Sequence, residues 1–270
     1  MKIDYSFHSH TFRCGHARGD IEDYVKKAIE NNFKAYGVAD HVFLPGVNQP
    51  TVRGDISYLK DYIDTFNRVK EKYKNKINLY LGFECEYADV FVSYYKELLD
   101  KVDYLICGQH CHFNDNKDYY WYFSYEKPDD YDAIERYKED LIKAIRSGLF
   151  KYIAHPDLFF FPVTKITPYL EKVANEIIDE AIKYDVPLEV NYNGIRRRPW
   201  DKEHGTMGYP NEYFWQLAYK KGAKIIFGGD YHNVESIDNP ELLKEFVIFI
   251  NKTKIELMDC SKAETLIKSK

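Results

Sequence analysis

Short apolar runs alternate with longer stretches of helical periodicity along the whole chain. The runs cover 3–7, 35–39, 77–83, 104–107, 152–154, 187–190 and 224–227. Each is too short for a typical helix and is bounded by Gly, Asp, Asn or Pro, the pattern of strands buried on both faces of a parallel sheet. Between them, apolar residues recur every three or four positions in 21–31, 56–73, 91–101, 131–147, 170–184 and 212–221, as amphipathic helices require. Gly148 and Gly222 fall where helix C-caps belong, and Pro210-Asn211-Glu212 reads as a helix start. No linker, repeat or low-complexity tract interrupts the seven alternations. They predict an α/β fold, a parallel barrel forming a single domain over 1–270. The segment 111–130 is the longest irregular stretch. It carries Tyr119, Tyr120, Trp121, Tyr122 and Phe123 and is a candidate substrate-facing loop. The residues after 251 suggest no function.

Composition narrows the function classes. The 270 residues carry 38 Lys+Arg against 43 Asp+Glu, a formal charge of −5, so no basic stripe offers itself to nucleic acid. No apolar run approaches the ~20 residues of a membrane span, and Met1-Lys2-Ile3-Asp4-Tyr5 lacks the apolar segment of a leader peptide. Five cysteines, an odd number with no CxxC pair, do not form a disulfide framework. The expectation is a cytoplasmic enzyme acting on a small molecule. Aromatics reach 17% of the chain, most of them read as core.

The chemistry lies in where the nine histidines fall. His8 and His10 end the first run, and His16 lies in the loop that follows. His41 ends the second run, Glu84 the third, His110 the fourth and His155 the fifth, while Asp230 and His232 follow the seventh. Residues i and i+2 of a strand point the same way, so His8 and His10 can reach one ion. In parallel barrels the strand-following loops converge on one rim, where chemistry sits. Six of seven strands therefore deliver imidazole or carboxylate to that rim, donors that suit zinc, iron or manganese. Any one of these histidines alone is more often a hydrogen-bonded loop residue; the constellation carries the signal.

In this order, His8-Ser9-His10-Thr11, Cys14-Gly15-His16, Asp40-His41, Gly82-Phe83-Glu84, Gly108-Gln109-His110, His155-Pro156-Asp157 and Gly229-Asp230-Tyr231-His232 resemble the motif series of the PHP (polymerase and histidinol phosphatase) family. Within that family the opening 8–17 is similar to stand-alone histidinol-phosphatases. So is Glu189-Val190-Asn191-Tyr192-Asn193-Gly194-Ile195-Arg196, followed by Tyr209-Pro210. The resemblance implies a distorted (β/α)7 barrel with a trinuclear metal site at the C-terminal rim of the strands. It also implies hydrolysis of L-histidinol phosphate. Carried over by motif, a first ion takes His8, His10, Glu84 and Asp230. A second shares Glu84 and adds His110 and His155, and a third takes His16, His41 and His232. His110 is preferred to His112 because it follows Gly-x as in the family pattern; His112 is then a substrate-contact candidate.

Phosphate ester hydrolysis needs an activated water and neutralised phosphoryl oxygens, and clustered divalent ions supply both. The expected course is in-line attack on phosphorus by a hydroxide bridging the ions at Glu84. Arg196-Arg197-Arg198 follows the one strand without an expected ligand. Arg196 is the first choice for the phosphate, Arg197 the second and Arg18 a third, since guanidinium binds phosphate bidentately. Asp40 is expected to orient a ligand or pass a proton to the leaving alkoxide. Tyr192, Asn193, the 119–123 aromatics and Phe159-Phe160-Phe161 are candidate pocket walls. Cys14, Cys85, Cys107 and Cys111 read as packing thiols, and His204 as solvated. Rival readings are a PHP phosphoesterase for another small phosphate or nucleotide, and a barrel that binds metal without turnover. Metal identity and oligomeric state stay open.

Overall fold

Parallel pairing starts close to the N-terminus, in a computed structural model that describes residues 3–269. Met1 and Lys2, part of the opening stretch considered above, and Lys270 lie outside the described residues. β1 (Tyr5–Ser6) runs beside β2 (Ala35–His41), with Tyr5 opposite Ala35. β2 pairs with β3 (Asn78–Cys85) in a register that sets His41 opposite Glu84. β4 (Tyr104–Cys107) continues the sheet, with Glu84 opposite Ile106. The expected irregular stretch then departs from expectation. β5 (Cys111–Phe113) and β6 (Tyr119–Trp121) form an antiparallel hairpin, closed by Asn114, whose side chain accepts from the N–H groups of Asn116 and Asp118.

β7 (Leu188–Asn191) and β8 (Ile225–Gly228) are again parallel, with Asn191 opposite Gly228. The run 152–154, expected as a strand, makes only single bridges, from Ile153 to Cys107 on one side and to Leu188 on the other. Regular pairing stops there because His155 takes a left-handed φ of 32° and Pro156 has no N–H to give. Ser9 bridges Tyr231, and Asp230 N–H donates to the His8 carbonyl at 2.8 Å. The parallel sheet thus curls until its first and last strands meet.

The expected helices form, with boundaries written in their caps. α1 (Ile21–Glu30) starts at Asp20 in a reciprocal capping box with Asp23. α2 (Tyr58–Tyr73), α3 (Val92–Leu99), α4 (Tyr131–Ser147) and α5 (Pro168–Lys183) follow. α6 (Tyr192–Glu203) was not anticipated: it contains Gly194 and Pro199, residues that argue against a helix interior. α7 (Glu212–Lys221) begins at Asn211, whose side chain accepts from two backbone N–H groups. Gly148 and Gly222 end α4 and α7 at φ 68° and 79°, as expected. α8 (Pro240–Thr253) and α9 (Cys260–Lys268) complete the chain.

Aromatic rings fill the interior. Tyr104 packs against Phe7 and donates its hydroxyl to the Phe7 carbonyl at 2.7 Å. Gly37 and Gly82 make this possible: a Cβ on either would come within 2.3 or 2.5 Å of Tyr104. The five cysteines are free and buried. Among the described residues no helix is long and apolar enough to cross a membrane.

Candidate metal centre

The strand ends bring all seven expected histidines together with Glu84 and Asp230. The floor is buried: His8 and His10 have no exposure, and Glu84 and His155 only 1%. His16 is exposed, and His110 and His232 are half-buried, so the cluster opens to solvent on their side. His155 and Asp230 sit at left-handed φ values of 32° and 48°, uncommon for residues with a side chain and a form of strain that collects at functional sites.

Four donors form a tight set. The Nε2 atoms of His8 and His10 are 3.1 Å apart. Asp230 Oδ1 lies 3.5 and 3.0 Å from them, and the two Glu84 oxygens lie 3.5 Å from one each. Tetrahedral ligands at the usual zinc–nitrogen bond length stand about 3.3 Å apart, so these separations suit one divalent ion. Glu84 reaches further donors as well. His155 Nε2 donates to Oε1 at 2.8 Å, His110 Nε2 lies 3.6 Å from Oε1, and His41 Nδ1 lies 3.0 Å from Oε2. Although His41 Nδ1 and Glu84 Oε2 are close, they are not aligned for a hydrogen bond. Both stay unpaired while buried, as do Nδ1 of His10 and of His155. Buried polar atoms without partners are costly, and a bound cation is the simple way to satisfy a set like this. Space is reserved for the carboxylate too: a Cβ on Gly108 would stand 1.8 Å from Glu84 Oε1. The residues present therefore fit divalent metal.

The electrostatics agree. Burial pushes the Glu84 carboxyl up, but His8, His110 and His41 together hold it well below the usual carboxylate range. Asp230 behaves likewise beside His8 and His232. Burial and the neighbouring His232 push His10 down to about 3, and burial holds His41 low as well. Ionised carboxylate and neutral imidazole are the forms that ligate metal. His8 and His110 are exceptions: burial lowers both, but Glu189, Glu84 and Asp230 raise His8, and Glu84 and Glu86 raise His110, above the ordinary value.

The grouping of donor atoms cuts across the expected partition at its edges. His41 stands with Glu84 and His110, and also with His10 and His232, while His16 groups with His232 and the Cys14 thiol. Cys14 is fully buried and accepts the Ala17 N–H at 3.3 Å.

Around this cluster, several expectations need correction. Asp40 is wholly buried, and its two oxygens accept from the Thr11 N–H and hydroxyl at 2.6 and 2.5 Å. It pins the loop carrying His10, and is not the accessible acid that a leaving group needs. Tyr192 is not a pocket wall: as the first residue of α6 it packs its ring on Phe227, Tyr231 and Phe246 and is 2% exposed. His112 turns away to a side groove, where Nδ1 donates to Asp140 at 2.7 Å beside Tyr87 and Lys143. Arg18 donates its N–H to the His232 carbonyl, but its side chain lines a surface groove along α1. His204 is exposed, as expected, and stacks on Tyr125 with ring centroids 4.2 Å apart.

Asn193 does reach the cluster, and Arg196 joins it through Asn193. Asn193 donates to Asp230 Oδ2 at 3.3 Å and accepts from Arg196 Nε at 3.0 Å, leaving the guanidinium ends free at the surface. Arg197 lies over Phe161 and reaches the Tyr125 hydroxyl, and Arg198 pairs with Glu212. Sequence reading missed two buried carboxylates, Glu189 behind His8 at 2.8 Å and Glu86 behind His110 at 3.2 Å, and Arg53, which pairs with Glu86. The signal was there for Glu189, an acid inside an otherwise apolar run at 187–190.

A sequence model of the PHP domain matches residues 6–193. The chain belongs to the PHP domain family. PHP relatives include the protein named "Probable histidinol-phosphatase" of Deinococcus radiodurans, 24% identical over 233 residues, 83% of this chain and 85% of that one. The histidinol-phosphatase of Bacillus subtilis is 21% identical, over 85% and 94% of the two chains. Among solved structures, the histidinol phosphate phosphatase of Lactococcus lactis, crystallised with zinc, L-histidinol and phosphate, superposes with a TM-score of 0.70. It is 15% identical and the match covers 94% of this PHP chain and 95% of that one, a likeness of fold.

Proposed function

We propose that this chain is a metal-dependent phosphoric monoester hydrolase whose substrate is L-histidinol phosphate. The observation that carries the reading is the buried donor set of His8, His10, Glu84 and Asp230, whose separations suit a divalent ion. In this reading residues 1–270 form one domain. Its curled sheet is a distorted (β/α)7 barrel, supported by the bridges at Ile153 and between Ser9 and Tyr231. Three divalent ions, zinc, manganese or iron, would be held by His8, His10, Glu84 and Asp230, by Glu84 with His110, His155 and His41, and by His16 and His232. The free, buried cysteines fit a reducing compartment such as the cytoplasm.

When bound, the ions would supply a water activated near neutral pH and positive charge for the phosphoryl oxygens. The chain's own residues do the rest. Glu84 holds donors from β2, the loop after β4 and the turn after Ile153 around one carboxylate. Arg196, steered by Asn193, presents its free guanidinium nitrogens to the phosphate from the α6 side, and Arg197 is the next cation along that helix. The open side at His16 and His232 admits the ester, and the histidinol alcohol leaves the same way.

The test is phosphate release from L-histidinol phosphate beside nucleotides, sugar phosphates and p-nitrophenyl phosphate, before and after chelation and with zinc or manganese restored. A preference of about a hundredfold in kcat/KM, worth about 2.7 kcal/mol in the transition state, is expected, with activity lost on chelation and recovered with metal. Equal slow rates on all esters would keep a PHP phosphoesterase and discard the named substrate. No release from metal-loaded protein would leave a barrel that binds metal without turnover.

A further inference from the structure

Glu189 is a charged residue in the middle of β7 with no solvent exposure, and no ligand role falls to it. Its Oε2 accepts from His8 Nδ1 at 2.8 Å. Its Oε1 accepts from Asn191 Nδ2 at 3.0 Å, and the same amide nitrogen donates to Asp230 Oδ2 at 3.1 Å. Among the described residues His8 is its only ion-pair partner. The neighbouring strand leaves room for it: a Cβ on Gly228 would stand 1.9 Å from the Glu189 carboxyl carbon. Glu86 offers a contrast. It backs His110 in the same way, but Arg53, itself buried, grips both its oxygens at 2.9 and 2.8 Å and cancels its charge.

A neutral imidazole carries one proton and can place it on either nitrogen. A carboxylate only accepts, so the nitrogen facing it must be the protonated one, and the other keeps its lone pair. With Nδ1 committed to Glu189, the lone pair of His8 falls on Nε2, the atom that faces His10, Glu84 and Asp230. The shared Asn191 amide ties the second ligand, Asp230, to the same carboxylate. We propose that Glu189 is a positioning residue of the metal centre: it selects the ligating nitrogen of His8 and, through Asn191, sets Asp230 against it. One buried charge thereby aligns two donors from opposite ends of the chain. The proposal rests on the rim being a metal centre, and its test is kept separate from substrate turnover.

Zinc affinity, by competition with a chromophoric chelator, and melting temperature with and without zinc are measured for Glu189→Leu, Glu189→Gln and Glu189→Asp. Loss of such a backing group weakens metal binding about 10–100-fold. That fall is expected in Glu189→Leu, with a smaller rise in melting temperature on adding zinc. The metal-free protein should itself melt lower, because His8 and the Asn191 amide each lose a buried partner, so zinc affinity and the zinc-dependent rise carry the test. Glu189→Gln still accepts from His8 and should recover most of the affinity. Should Glu189→Leu fail to fold, Glu189→Asp carries the test: it keeps the charge, falls one methylene short of His8, and should weaken zinc in the same direction. Undiminished zinc affinity in both Glu189→Leu and Glu189→Asp overturns the proposal, as does a Glu189→Leu protein whose only change is a lower metal-free melting temperature. Failure of the parent protein itself to bind zinc overturns the metal-centre reading, an outcome distinct from the other two.

Discussion

One methyl group at Gly108 tests whether the Glu84 carboxylate must lie where it does. The Cβ of Gly108→Ala would stand 1.8 Å from Glu84 Oε1 and 2.5 Å from its carboxyl carbon. To reach the 3.4 Å of ordinary van der Waals contact, Oε1 must retreat by about 1.6 Å. That oxygen is the one His155 meets at 2.8 Å, so the retreat breaks the contact. A displacement near 1 Å in a catalytic constellation costs on the order of a hundredfold, about 2.7 kcal/mol in the barrier. Gly108 is not among the residues with positive φ, so alanine adds crowding without backbone strain, and the overpacking should cost about 1–3 kcal/mol of stability. Gly148→Ala is the matched control. There φ is 68° and no atom lies within 4 Å of the new methyl, so alanine should cost roughly 1–2 kcal/mol of stability and leave turnover alone. Phosphate release, metal content and urea midpoints are compared for both variants. A Gly108→Ala protein with a full metal complement and kcat/KM within threefold of the parent would refute the placement of Glu84 at the centre of the site.

Two further predictions concern arginines. Arg53→Met leaves Glu86 charged and buried with only His110 beside it, and should cost about 3–5 kcal/mol in urea unfolding. The double variant Arg53→Met/Glu86→Gln should recover part of that loss, and strict additivity would mean the pair does not interact. Arg196→Ala should raise KM for the phosphate ester more than it lowers kcat; unchanged kcat/KM would move the phosphate contact to Arg197.

What the sequence made legible follows from geometry that strands impose locally. A residue at a strand's C-terminal end is placed at the rim whatever the details of packing, so all nine expected ligands arrive together. Glu189 and Glu86 escaped because their meaning lies across the sheet, in partners just after β1 and in the loop after β4, and no periodicity within one strand reports such a pairing. Tyr192 misled for a related reason: its neighbour Asn193 does reach Asp230, but on a helix successive side chains diverge by about 100°, which sends Tyr192 into the core. The hairpin at 111–121 was hidden by its aromatics. Tyr119, Tyr120 and Trp121 are all exposed on a short edge strand, so no alternation of polar and apolar residues marks it.

The meeting of β1 with the segment after β8 has a consequence for how the protein acquires its centre. The Ser6 hydroxyl and the Gly229 N–H that hold this seam are 223 residues apart, a contact of very high order that a folding chain makes late. His8 and His10 stand on one side of the seam, Asp230 and His232 on the other. No partly folded chain can offer that ligand set, so strong metal capture reports completion of the fold. Once captured, the ion draws the equilibrium toward the sewn seam by mass action. Metal depletion should therefore loosen the N-terminal strand first, and amide exchange at residues 6–10 is where that loosening would register.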